Sequence, residues 1–338
     1  PTGDYLSGRT TVLQPPTPRT PKLWISVPAA HIHNLKGFES RFPRRCMTAV
    51  TGVSGSGKSS LVMDTLAPLL EARRKARKAG PRRIVVVDQR PIGRSPRSTP
   101  ATYAKILGPI RDLFAQTQLA RTRGYGPGRF TFNGRKSWCP ACEGRGATLV
   151  EMHFLSDVWL PCEACGGTRF NEATLQVKWR DHSIADVLRL PIAEALDLFV
   201  NHRSISRRLQ ALVDVGLGYL KLGQSSTTLS GGEAQRIKLV SHLMARTRRD
   251  TVVVLDEPSI GLHMADIPRL MGVIHRLVEL EATVVVIEHN TDVIQEADWV
   301  IDLGPGGGPD GGEVIYQGPF SGLATTAGSR TGAWIAQG

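Results

Sequence analysis

Three stretches of the chain run almost without polar interruption. Arg83-Ile84-Val85-Val86-Val87, Thr251-Val252-Val253-Val254-Leu255 and Thr283-Val284-Val285-Val286-Ile287 are continuous β-branched runs, the pattern of strands covered on both faces. Residues 23–27 and 47–50 are expected as two more strands. Trp299-Val300-Ile301-Asp302-Leu303 and Glu313-Val314-Ile315-Tyr316 are expected as shorter ones across a glycine-rich turn. Between these runs the spacing becomes helical. Leu61, Leu66, Leu69 and Leu70 give one helix an apolar side, and residues 265–280 read as another. Strands alternating with helices predict a largely parallel α/β core.

From residue 91 to 245 that pattern lapses. Proline, glycine and aromatic residues become frequent, and four of the five cysteines fall here. This predicts a lobe inserted into the core, with 1–90 and 246–338 as the two parts of the core. Residues 1–22, with Pro15, Pro16, Pro18 and Pro21, read as linker or wrapping segment. A length of 338 residues suits about two domains. Pro1 in place of a methionine is expected of a piece of a longer protein. No run approaches the roughly 18 apolar residues of a membrane span, and no secretory segment is visible, so a cytoplasmic location without a membrane partner is expected.

The net charge of +12 is unevenly spread. Between Glu71 and Arg145 the only acids are Glu71, Asp88, Asp112 and Glu143, while Arg and Lys recur throughout. Such a zone suits a polyanion such as nucleic acid. A solvated helix face is the plainer reading for Arg73-Arg74-Lys75-Ala76-Arg77-Lys78.

Gly52-Val53-Ser54-Gly55-Ser56-Gly57-Lys58-Ser59 matches G-x-x-x-x-G-K-[ST] between an expected strand and a helical run through Ser60. Backbone N–H groups of such a loop face phosphate oxygens. Lys58 is expected on the terminal phosphates and Ser59 on Mg²⁺, with the helix dipole adding to the site. The run 251–255 leads into Asp256-Glu257. Asp256 is expected as the Mg²⁺ carboxylate and Glu257 as the general base for an attacking water. Gln89 and His289 follow two other strands and are expected to reach the same phosphates. Each alone is an ordinary strand-end residue; together they indicate hydrolysis of a nucleoside triphosphate.

Leu229-Ser230-Gly231-Gly232-Glu233 has an N-cap serine with glutamate at the capping-box spacing. Ala234, Ile237, Val240, Leu243 and Met244 continue it as a helical stripe. The helix start offers glycine N–H groups and a hydroxyl to a phosphate.

Cys139-Pro-Ala-Cys142 and Cys162-Glu-Ala-Cys165 lie nineteen residues apart. This spacing predicts a structural tetrathiolate zinc site with no open coordination position. A redox dithiol is the competing reading, and a disulfide framework does not suit a cytosolic setting. Cys46 reads as a core residue and His153 as packed. Arg121, Arg123, Tyr125, Arg129, Phe130, Phe132, Arg135 and Lys136 surround the module. Two readings stay open for them, phosphate contact with aromatic stacking or packing of Phe130 and Phe132 against the cysteine lobe.

The L-S-G-G-E-A-Q turn together with the phosphate loop, Gln89, Asp256-Glu257 and His289 resembles the signature set of ATP-binding-cassette ATPases. The resemblance implies that Ser230, Gly231, Gly232 and Glu233 close over ATP held by another cassette, so that a second cassette is needed. A zinc-bearing insert between Gln89 and the signature is similar to the UvrA family of DNA-damage-sensing ATPases in bacterial nucleotide excision repair. Pro91-Ile92-Gly93-Arg94-Ser95-Pro96-Arg97-Ser98, Glu151-Met152-His153-Phe154-Leu155, Thr2-Gly3-Asp4-Tyr5-Leu6-Ser7-Gly8 and Asp302-Leu303-Gly304-Pro305 carry it across the chain.

That resemblance implies an ABC-type P-loop ATPase core, here the C-terminal cassette of a subunit that also homodimerises. It implies binding of double-stranded damaged DNA through the lobe, with Arg94 and Arg97 as first phosphate contacts; Arg129, Arg135 and Lys136 are the further candidates, on the charge of the stretch around the cysteine module. The family loads a helicase, UvrB, through its N-terminal half, so that site is not expected here. Ser259-Ile260 replaces the family's usual Thr-Thr, which leaves room for a UvrA-like paralogue that protects DNA from bound drugs. A transporter motor subunit, and a DNA-binding module with a vestigial nucleotide site, are the alternatives from other classes.

Overall fold

The β-branched runs become strands, and register decides what stands at their ends. The computed structural model describes residues 18–76, 80–93, 95–150, 158–244 and 250–337. Its strands in chain order are β1 (Trp24–Ala30), β2 (Phe38–Pro43), β3 (Met47–Gly52), β4 (Arg83–Val87), β5 (Ala147–Val150), β6 (Val158–Pro161), β7 (Thr251–Asp256), β8 (Thr283–Ile287), β9 (Trp299–Gly304) and β10 (Glu313–Gly318). The chain divides into two compact units, Pro1–Gln89 with His242–Gly338, and Arg90–Ser241.

In the first unit six strands form one sheet in the order β10-β9-β3-β8-β7-β4. Pairing is parallel except between β9 and β10. All residues of β3 and β8 are buried, as continuous apolar runs in a parallel sheet require. One face carries Val50, Val252, Val254, Val285, Ile287, Ile301 and Leu303. They pack with Leu61, Val62, Leu66 and Leu70, and with Ile25, Val27 and Phe42 from the antiparallel pair β1–β2. Helix Ile267–Glu279 packs against β8 and buries Leu270, Met271, Ile274 and Leu277.

Two expectations need correction, and one expected helix is wound in a way its pattern does not show. β4 is an edge strand, not one covered on both faces, and Val86 on it is 39% exposed. β9 and β10 are six residues each, as long as β7. The helix after the phosphate loop begins with a π-wound segment, Ser60–Leu66, and becomes α-helical only over Ala67–Lys75. Thr65 Oγ1 donates to the Ser60 carbonyl five residues back at 2.8 Å. The winding changes beside Pro68, which has no N–H to give an i−4 carbonyl.

The second unit is built of short helices, among them Leu107–Ala115, Ile184–Arg189, Ile192–Leu198 and Arg203–Val213. Their ends are set by polar caps. Ser183 and Asp186 form a capping box, as do Thr99 and Thr102. β5 and β6 form a two-stranded antiparallel ribbon beside the cysteine pairs. No helix among the described residues is long and apolar enough to cross a membrane. Arg94, His153 and residues 1–17 lie outside the described residues.

Candidate functional site

The phosphate loop leaves β3 at Gly52, whose φ is +127°. A Cβ there would run into the Leu303 carbonyl on the paired β9, so the loop turns where only glycine fits. The loop is held from behind. Asn34 Nδ2 donates to the Gly55 and Gly308 carbonyls at 2.9 and 3.1 Å. Gly308 N–H donates to Gly55 O and Gly312 N–H to Ser56 O, each at 3.0 Å. The glycine-rich turn after β9 is therefore a support for the phosphate loop. Sequence reading saw only a turn, because its partners lie more than 250 residues away. Lys58 is buried, and its Nζ donates to the Gly52 and Val53 carbonyls at 3.0 and 2.8 Å. Burial lowers its pKa, opposed by Glu257, Asp302 and Asp256. Val53, Ser54, Gly55, Ser59 and Ser60 are exposed or half-buried, whereas Ser56 and Gly57 are buried.

Parallel register brings the acids to the same edge of the sheet. Asp256 stands level with Ile287, and Val87 with Leu255, so Asp88-Gln89 leave the sheet beside Asp256-Glu257. Burial raises the Asp256 pKa, and Glu257, Asp88 and Glu288 raise it further against the pull of Lys58. Glu257 takes a left-handed φ of +48°, and its N–H donates to the Ile287 carbonyl at 2.9 Å. Its Oε1 lies 3.5 Å from His289 Nε2. Burial and Lys58 push the His289 pKa down, which favours the neutral imidazole.

Glu288, between strand and histidine, was not given a role from sequence. It is buried, and its carboxylate accepts Ser259 N–H at 2.8 Å, His289 N–H at 2.9 Å and Asn290 N–H at 3.1 Å. It thereby ties the segment after Asp256-Glu257 to the segment bearing His289. A second silent acid is Asp302, buried opposite Thr51 and bonded by Ser329 and Thr331 at 2.6 and 3.0 Å.

In the second unit, Ser230 opens helix Gly231–Met244. Ser230 N–H donates to Glu233 Oε2 at 2.7 Å, and Glu233 N–H to Ser230 Oγ at 3.2 Å. This is the reciprocal capping pair that the spacing predicts. Ala234, Ile237 and Val240 are buried, with Gln235, Arg236 and Leu239 also inside. Met244 is half-buried, and the Leu243 side chain lies outside the described residues. Tyr219, 63% exposed, donates its hydroxyl to Glu233 Oε1 at 2.5 Å. Sequence gave no signal for that contact across fourteen residues.

The four cysteines converge. Their sulfurs all lie within 4.8 Å of one another, with Cys142 and Cys165 3.8 Å apart. Sulfurs at about 2.3 Å from a tetrahedral zinc stand about 3.8 Å from each other, so the donor set fits that ion. Gly146 N–H donates to Cys142 Sγ at 3.2 Å. Burial alone would raise the Cys165 thiol. Hydrogen bonds from Arg169 N–H and the neighbouring sulfurs outweigh it and bring the pKa to about 7. Cys46 is a buried core residue whose pKa is pushed up to about 11, first by burial.

No family model matches the chain. UvrABC system protein A of Thermus thermophilus is 50% identical over 349 residues, covering 99% of this chain and 37% of the relative. The protein of the same name from Staphylococcus aureus is 49% identical over 348 residues, with the same coverage. A crystal structure of UvrA2 from Deinococcus radiodurans matches with a TM-score of 0.93 at 46% identity, over 99% of this chain and 42% of that one. Over nearly its whole length the chain is similar to a part of these UvrA proteins. It spans a little over a third of the length of the curated relatives. The fold is shared with that UvrA2 structure, a mixed α/β sheet bearing the phosphate loop and a second unit whose four-cysteine cluster could hold zinc.

The basic residues of the second unit divide into two groups. Arg97 Nη2 donates to the Glu143 carbonyl at 2.6 Å, and its guanidinium lies 5.4 Å over Trp138. Arg129 lies 4.5 Å over Tyr125 and reaches Asn171 at 3.4 Å. Arg135 and Lys136 are exposed. Phe130 and Phe132 are fully buried, against Phe114 and Phe170 respectively. Of the two readings left open for them, packing is the one found, and these rings are not a stacking platform for bases.

Proposed function

We propose that this chain is an ATP-binding and ATP-hydrolysing cassette of a damage-sensing DNA-binding protein that acts in nucleotide excision repair. The observation that carries the reading is the convergence of Lys58, Asp256, Glu257 and His289 at one edge of the sheet, in a chain with relatives named UvrABC system protein A. Lys58 and the loop from Gly52 to Ser60 hold the phosphates. Ser59 and Asp256 hold Mg²⁺, for which crowded, partly buried carboxylate oxygens are suitable donors. The ion supplies charge neutralisation on the phosphates. Glu257 takes a proton from the attacking water, His289 orients Glu257 and the terminal phosphate, and Gln89 approaches from the β4 side.

Ser230, Gly231, Gly232 and Glu233 complete the nucleotide site of a second cassette, in the same polypeptide, with homodimerisation of the longer protein. Arg94, Arg97, Arg129, Arg135 and Lys136 contact phosphates of a damaged duplex, with the exposed Arg135 and Lys136 contributing most. UvrB engages a part of the longer protein outside this chain, and the assembly works in the cytoplasm. A UvrA-like paralogue is the second reading, favoured by Ser259-Ile260. Failure to load UvrB onto a lesion despite normal lesion binding distinguishes it.

Filter binding of the complete protein to damaged and undamaged duplexes, across a salt series, tests the reading. Preference for the lesion, with affinity falling steeply as salt rises, is expected. Equal affinity for both duplexes in the presence and absence of ATP contradicts it.

A further inference from the structure

Arg169 stands four residues beyond Cys165 and is 8% exposed, an uncommon burial for a cation. Its main chain joins the two cysteine pairs. The N–H donates to Cys165 Sγ, and the carbonyl accepts Cys139 N–H at 2.9 Å. Its φ of +74° is left-handed, a conformation costly for a residue with a Cβ and kept only where surroundings enforce it. Gly146 approaches its Cγ so closely that a Cβ there would be 2.8 Å away.

The side chain is held at two carbonyls. Nη1 donates to the Pro96 carbonyl at 2.8 Å and Nη2 to the Gly223 carbonyl at 3.0 Å, while the guanidinium lies 4.9 Å over Phe132. Gly223 begins the segment that ends at Ser230. Ser226 fastens that same segment to the Pro96 side, with its N–H on Ser98 O at 2.8 Å and its hydroxyl on Gly93 O at 3.0 Å. Four thiolates around a zinc ion carry a net charge of about −2. Among the described residues, Arg169 is the buried arginine that answers this charge, feeling both Cys142 and Cys165. The planar fork gives each of these two carbonyls its own nitrogen, spread apart on Nη1 and Nη2, a reach that the single nitrogen of a lysine does not have.

We propose that Arg169 is a positioning residue through which metal occupancy of the cysteine cluster fixes the segment entering the signature turn. The tetrathiolate holds the guanidinium in place, and the guanidinium holds Gly223 and Pro96. Zinc is then more than a local staple, because its loss frees residues 223–230 and with them the presentation of Ser230. This rests on the zinc reading of the four cysteines.

The test combines zinc release to a chromophoric chelator with hydrogen exchange of residues 223–233 in the full chain. Chelation of the wild type is expected to speed that exchange by about tenfold or more. R169M is expected to show the faster exchange with zinc still bound, and to release zinc about 10- to 100-fold faster. R169K, which keeps the charge without the fork, is expected to restore slow zinc release but not slow exchange, and it carries the test if R169M does not fold. Zinc-loaded variants with wild-type exchange at 223–233 overturn the proposal alone. A wild-type chain that binds no zinc overturns the zinc reading and the proposal together.

Discussion

The sheet unit and the cysteine lobe hold chemical groups in place by different means. In the sheet unit, Asp256, His289 and Gly52 stand where they do because β7, β8 and β3 pair in parallel over four to five residues each among buried, mostly apolar neighbours. Several strands enforce each position, so a single side chain outside the site can be lost with the register intact. In the cysteine lobe the strands are four residues long and largely exposed, with Leu160 at 50%. There the cysteine cluster rests on four sulfurs, the packed Phe132 and Phe170 rings, a few Ser and Thr caps, and Arg169. A site built on buried strands fails gradually, whereas one built on a few polar groups fails at each of them.

Removing zinc, or making Cys142→Ser, separates the two most sharply. Metal-dependent modules owe on the order of 10 kcal/mol of folding free energy to the ion, so exchange protection over residues 137–170 is expected to collapse while β3, β7 and β8 stay protected. Equal loss in both units breaks the comparison. Glu257→Gln is next in size. Loss of a general base slows hydrolysis about 100-fold or more, and steady-state ATPase assays on the complete protein should find this with nucleotide affinity and zinc content unchanged.

Ile301→Ala empties a fully buried position in the sheet core and is expected to cost about 2–5 kcal/mol. Denaturant unfolding should record that loss in the sheet unit with the zinc site intact. Asp256→Asn gives the smallest effect and the opposite sign. Its folded pKa is raised, so the stability it contributes is present in acid and is lost as pH rises through that value. The variant is therefore expected to melt a few degrees higher than wild type at pH 8. The difference should vanish below the ordinary aspartate pKa of about 3.9. A melting temperature unchanged at pH 8 contradicts the crowding of charge around Asp256.

What could be read from the sequence was local. The β-branched runs, the phosphate-loop motif, the Ser230–Glu233 cap and the cysteine spacing each lie within a few residues or a known spacing; the runs became strands, with β4 at an edge, and the cap and the cysteine cluster formed as their spacing predicts. What escaped depends on contacts between distant residues. Asn34 and the turn at Gly308 meet the phosphate loop across 21 and 253 residues. Glu288 looked like any strand-end acid, and burial gave it its three hydrogen bonds. Arg97 reads as a phosphate ligand, and nothing in the sequence shows the Trp138 ring and Glu143 carbonyl that it lies against. Phe130 and Phe132 alternate among arginines exactly as a stacking surface would, and only burial distinguishes the two.

The central claim is that the loop at Gly52–Ser60 and the acids beside it form one Mg²⁺-nucleotide site. Titration of a fluorescent ATP analogue into the chain, with and without Mg²⁺, measures this directly in wild type and Lys58→Ala. The account predicts Mg²⁺-dependent binding that Lys58→Ala weakens at least about tenfold, as loss of a charge-assisted phosphate contact should. Equal binding by the two proteins, or binding indifferent to Mg²⁺, contradicts it.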